Sequence, residues 1–161
     1  MFVVDNIKSL VSLLWNLWLN LNKRPKITCD IRYSCPIRWY PDSWDPNGKL
    51  IEGISIEVTV PFLVSNNGSV DTTIKNIYVS IKYNKDKSVC LMAQHWDANW
   101  DITNARAQPT QIMPRSIWGI RELEFSCFLG NVHELPIKMA AELVIEPVAQ
   151  GPVRSKLELC Y

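Results

Sequence analysis

The sequence predicts an all-β chain, an antiparallel β-sandwich of seven or eight short strands over 26–161, preceded by one amphipathic α-helix over 1–25. Three observations predict it. Before Pro25 apolar residues recur every three to four positions, and after it they recur every second position. No further helical pattern follows, and clusters of turn-forming residues separate the later runs.

The helix comes first. At about 100° per residue, Val3, Val4, Ile7, Leu10, Val11, Leu14, Trp15, Leu17, Trp18 and Leu21 share one broad face. Asp5, Lys8, Ser9, Ser12, Asn16 and Asn20 occupy the opposite face, and only Leu13 and Leu19 break the pattern. Asp5 near the start and Lys23 and Arg24 at the end suit the helix dipole, and Pro25 stops the helix. About 20 residues at 1.5 Å each would reach roughly 30 Å, the thickness of a bilayer core. A lone span would nevertheless put Asp5, Lys8, Asn16 and Asn20 in hydrocarbon, at about 1 to 3 kcal/mol each. A secretory signal fits no better, because Asp5 lies in the leading region and Lys23-Arg24-Pro25 stands where a small-residue cleavage site would be. The expectation is a helix lying on an apolar surface, with Trp15 and Trp18 as interfacial anchors and Lys23 and Arg24 meeting anionic headgroups. The same stripe also suits the sandwich itself, a partner protein or a second copy in an oligomer.

The strands follow. Ile27, Cys29, Ile31 and Tyr33 alternate with Thr28, Asp30 and Arg32, and Ile54, Ile56, Val58 and Val60 alternate with Ser55, Glu57 and Thr59 up to Pro61. The polar stretch Ser65 to Thr73, containing Asn66-Asn67-Gly68, is a turn signal. Ile77, Val79 and Ile81 alternate next; shorter candidates lie at Ser88 to Gln94 and near Gln111 to Trp118. Glu122 to Leu129 alternates again, and Ala140 to Glu146 is expected to pair with Arg154 to Cys160 across Pro147 to Pro152.

The run from Ile56 to Ile81, with Val58-Thr-Val-Pro-Phe-Leu-Val-Ser-Asn-Asn-Gly-Ser at its centre, resembles the central hairpin of bacterial immunoglobulin-like adhesion modules. Ile112-Met-Pro and Glu124-Phe-Ser-Cys-Phe are similar to their later strands. The resemblance covers about two thirds of the chain and implies an immunoglobulin-like sandwich. Its motifs are turn and core positions, so it implies little about function. The disulfide of antibody-type domains is not expected, because Ile54 to Val60 contains no cysteine.

Size and charge bound the rest. With 161 residues the chain suits one domain and an appendage. The 17 basic and 16 acidic side chains nearly cancel, which leaves no field for a nucleic-acid backbone. Five cysteines form no C-x-x-C pair and are an odd number, as expected of reduced thiols in a cytoplasmic protein.

No motif points to a reaction, a metal or a cofactor. His133-Glu134-Leu135-Pro136 begins like a zinc-peptidase signature, but the second histidine is missing and Pro136 breaks the required helix. Asp97-Ala-Asn99-Trp-Asp101 starts like a calcium loop, yet Ile102 replaces the glycine and Gln108 the glutamate. Cys90 and His95 are the one nucleophile and base close in sequence, and their odd separation directs them to opposite faces of a strand. Asn67-Gly68-Ser69 is a glycosylation acceptor that matters only in a secreted chain. Aromatic loops remain. Trp39, Tyr40 and Trp44 are placed in an insertion between the first two strands, and Trp96 and Trp100 before the later ones. Such residues either plug the ends of the sandwich or anchor a protein or glycan partner.

The function expected is a non-enzymatic interaction module, peripheral on a membrane or other apolar surface, docked by Ile7, Leu10, Val11, Leu14, Trp15, Leu17, Trp18, Leu21, Lys23 and Arg24. A subunit of a structural assembly, oligomerising through the helix, is the alternative, and a cysteine-dependent hydrolase is the third reading.

Overall fold

In the computed structural model, residues 2–84, 87–93, 110–119, 122–136 and 138–161 are described. Helix α1 (Phe2–Asn22) leads into β1 (Ile27–Ile31) and β2 (Cys35–Trp44). A short 3-10 turn (Pro46–Gly48) turns the chain into β3 (Ile51–Val60), then β4 (Phe62–Asn66), β5 (Thr72–Asn84) and β6 (Lys87–Ala93). Strands β7 (Thr110–Ile112), β8 (Ser116–Gly119), β9 (Leu123–Gly130), β10 (Ala140–Pro147), β11 (Val153–Leu157) and β12 (Leu159–Cys160) complete the order. The described residues are thus mostly β-strand with one α-helix, and α1 starts and stops where its 3.6-residue repeat does.

The strands form two sheets. One holds β1, β4 and β8; the other runs β11-β10-β5-β6-β9-β3-β2-β12, with β7 beside β5. Every pairing is antiparallel except β12 with β2. The two ends of the large sheet are neighbours in sequence, because β11 and β12 are separated only by Glu158. One segment, Val153 to Cys160, therefore pairs with β10 at one end and with β2 at the other, curling the sheet into a nearly closed barrel. The Cys35 amide donates to the Glu158 carbonyl (2.7 Å) at this seam.

The small sheet lies over the same core. Ile27, Phe62 and Val64 of the small sheet join Ile56, Val58, Phe125, Val79, Ile81, Leu143 and Ile145 of the large one in a single buried cluster. Pro61 lets the chain pass from one sheet to the other, because β3 ends at Val60 and β4 starts at Phe62.

Three local readings change. The strands flanking Asn67-Gly68 do not form a hairpin with each other: β4 pairs with β1 and β8, and β5 with β6, β7 and β10. Residues Gln111 to Trp118 make two strands, because Arg115 takes a positive φ of 51° between them. Trp39, Tyr40 and Trp44 lie on β2 and not in a loop, in register with Ile56, Ser55 and Ile51 of β3. Pro41 fits there because β12 pairs with β2 only at Cys35 and Pro36, leaving that edge of β2 without a described partner at Pro41.

Candidate functional site

Two surfaces stand out, the apolar face of α1 and the outward face of β2, β3 and β9. On α1, Ile7, Leu10, Val11, Leu14, Trp15, Leu17 and Trp18 are all at least half exposed (50–62%), so the stripe is not spent on the barrel. Leu13, off the stripe, is 61% exposed as well. Trp15 and Trp18 stack on each other with centroids 5.2 Å apart, the i, i+3 contact expected along a helix. The side chain of Leu21 lies outside the described residues. Lys23 and Arg24 are exposed directly after the helix, whereas Pro25 is buried.

The junction behind them is tied to the barrel. Asn66, fully buried, accepts from the amides of Lys26 (3.2 Å) and Gly68 (3.0 Å), and its amide nitrogen donates to the carbonyls of Val70 and Ile112. The Asn67 amide donates to the Lys26 carbonyl (2.9 Å). Gly68 is required here, since a Cβ would lie 2.3 Å from the Arg24 carbonyl oxygen and 2.7 Å from Pro25 Cα. The basic segment is therefore held at its C-terminal end.

On β2, alternation points Arg38, Tyr40, Asp42 and Trp44 outward and Ile37 inward. The Tyr40 hydroxyl donates to Glu57 (2.7 Å), and this bond, with partial burial and the charges of Glu57, Asp42 and Glu124, raises its pKa above the usual tyrosine range. Asp42 accepts from the Ser55 hydroxyl (2.5 Å) and the Ser43 amide (2.8 Å), which hold its carboxyl below the ordinary carboxylate range. Trp44 meets Phe128 edge to face, with centroids 6.4 Å apart and planes at 66°. Trp39 makes a similar contact with Tyr161 (5.3 Å, 82°) near the seam. Trp39, Tyr40 and Trp44 are 37%, 43% and 60% exposed, so none of them is a core plug.

The structure brings Tyr40 and Trp44 to one face of β2. Trp96, Trp100 and His95 lie outside the described residues, and Cys90 is exposed on β6. Sequence reasoning missed Asp42, Glu57 and Phe128. Once β2 is read as a strand, its period of two places Asp42 between Tyr40 and Trp44; Phe128 needs the pairing with β9, which no local signal carries.

Other chemistry finds little support. His133 is exposed, and Val132 to Pro136 forms no helix. Among the described residues, no group of three His, Cys, Asp or Glu side chains is placed to hold a metal ion. Burial pushes Cys29, Cys35 and Cys127 up to about 11, the reverse of an activated nucleophile. Among the described residues no helix is long and apolar enough to cross a membrane.

No protein-family model and no curated protein matches the chain. Among solved structures it is similar to that of the Putative ApaA Protein from Bordetella pertussis, at 13% identity and a TM-score of 0.36, over 84% of this chain and 90% of that one.

Proposed function

We propose that this chain is a non-enzymatic interaction module held peripherally on a membrane surface by α1. The exposure of the seven described stripe residues, Ile7, Leu10, Val11, Leu14, Trp15, Leu17 and Trp18, carries the reading. Seven large apolar side chains left half or more in water cost about 25 cal/mol per Å2 of surface that a bilayer would cover. The stacked Trp15 and Trp18 suit the headgroup boundary, and Lys23, Arg24 and Lys26, all exposed, suit anionic lipid. The five free thiols suit a reducing compartment, and hence the cytosolic face. An immunoglobulin-like kinship of the barrel belongs to the same proposal, supported by the consecutive antiparallel pairs β2–β3, β5–β6 and β10–β11.

Liposome flotation tests it. The full-length chain is expected to rise with neutral vesicles through apolar insertion, and in greater yield with anionic ones. If it stays at the bottom with both, the reading fails. Exposed Leu13 widens the apolar surface toward a third side of α1, which favours the second reading, a bundle of helices from several copies. Sedimentation without lipid separates the two: monomers that float support the membrane, and stable oligomers that do not float support the assembly.

A further inference from the structure

We propose that the outward face of β2, β3 and β9 binds a cationic side chain, an arginine guanidinium or lysine ammonium, presented by a partner protein. The proposal shares with the membrane reading only the premise that the barrel binds; it uses no residue of α1.

The geometry starts from the strand repeat. Outward residues of β2 are spaced about 6.7 Å apart, which sets Asp42 between Tyr40 and Trp44 along the strand. Across the sheet the Asp42 row continues into Gly53 and then Gly130, neither of which has a side chain. The Phe128 ring leans into that gap, since a Cβ on Gly53 would lie 2.9 Å from Phe128 Cζ. Trp44 meets Phe128 at 66°, so the two rings form an angled corner beside Asp42. Gly53 cannot gain a side chain, because its Cβ would also lie 2.1 Å from the Leu129 carbonyl oxygen.

Charge selects the occupant. Asp42 is exposed and anionic, and its oxygens are oriented by Ser55 and Ser43. Glu57 accepts from Tyr40 and Glu124 lies on the same outward face, while Arg38 stands 3.9 Å from Glu57 with most of its side chain in water. The face is therefore acidic around exposed aromatic rings. A cation there gains from the ring quadrupole and from the carboxylate together, whereas an anion is repelled and a neutral group forgoes the Coulomb contribution. Arginine suits it best, because its planar guanidinium can stack on Trp44 while donating to Asp42.

The test is fluorescence anisotropy of a labelled Gly-Arg-Gly-Arg-Gly peptide with the full-length chain at low salt, without lipid. The arginine peptide is expected to bind at least fivefold more tightly than its citrulline counterpart, which has nearly the same shape and no charge. Asp42→Asn, whose one carbonyl oxygen still accepts from the Ser43 amide while its amide nitrogen can donate to the Ser55 hydroxyl oxygen, and Trp44→Leu are each expected to weaken binding about three- to fivefold with the melting temperature unchanged. Added salt should weaken it further. If Trp44→Leu misfolds, Asp42→Asn decides alone. Equal affinity for the citrulline peptide, wild-type affinity in Asp42→Asn, or no binding of the arginine peptide would overturn the proposal. Since no vesicle is present, such failure leaves the membrane reading untouched, and failed flotation leaves this site untouched.

Discussion

Cys29 on β1, Cys35 on β2 and Cys127 on β9 pack on or in the core, and burial raises each thiol from 9.0 to about 11. Cys90 and Cys160 are exposed. Because the thiolate is the reacting species, an alkylating agent near neutral pH should label Cys90 and Cys160 well before the other three. Peptide mapping by mass spectrometry reads the order; fast labelling of Cys35 in the folded chain would contradict the burial. The same shifts fix a pH dependence. The folded pKa of about 11 lies above the unfolded 9.0, so the folded state holds the proton more tightly. The resulting stability is complete below pH 9 and is lost as pH rises toward 11, seen as a falling denaturation midpoint that Cys→Ala substitution at the three sites should flatten. The sequence marked Cys29, Cys127 and Cys160 as strand residues that would pack as small apolar groups; all three lie on strands, but Cys160 is exposed, and the structure adds Cys35 to the buried set.

Among elements, α1 was legible because its repeat is long and local, β3, β5 and β9 because apolar and polar residues alternate along them, and β10, where Leu143, Val144 and Ile145 are all buried, because a turn joins it to the strand it pairs with. Strand β2 was not. Its residues read Cys-Pro-Ile-Arg-Trp-Tyr-Pro-Asp-Ser-Trp, with two prolines and few apolar partners, because most of it lies on a sheet edge, where residues of both faces are exposed from Arg38 to Trp44. The binding face was hidden with it: Tyr40 and Trp44 were visible as aromatic residues, but their place around Asp42 depends on the strand. Independence of α1 is testable at this scale. Leu14→Asp with Trp18→Asp should abolish flotation and leave the barrel's melting temperature within about 2 °C, because surface substitutions away from packed contacts usually change stability by less than about 0.5 kcal/mol. A large fall in melting temperature would make α1 part of the folded core and remove the exposed docking stripe.

For the whole molecule, the decisive contact is one that no window of sequence contains: the meeting of Val153–Cys160 with β10 on one side and β2 on the other. The pairing with β10 follows from a short turn, whereas the pairing with β2 joins residues at opposite ends of the chain. Closure makes every strand of the large sheet depend on the seam, so damage there should be felt globally. Leu157 sits at this point, in register with Ala141 and nearly buried, 9% exposed, within the core. Leu157→Ala removes three carbons and leaves a cavity, at a cost of about 2 to 3 kcal/mol, which for a domain of this size lowers the melting temperature by roughly 5 to 10 °C. A barrel held together at this seam should lose this stability in one transition, with circular dichroism and tryptophan fluorescence giving the same urea midpoint. Two separated transitions, with β11 and β12 fraying first, would show that the sheet stays open at the seam and that the face around Trp39 and Tyr161 is not held by closure.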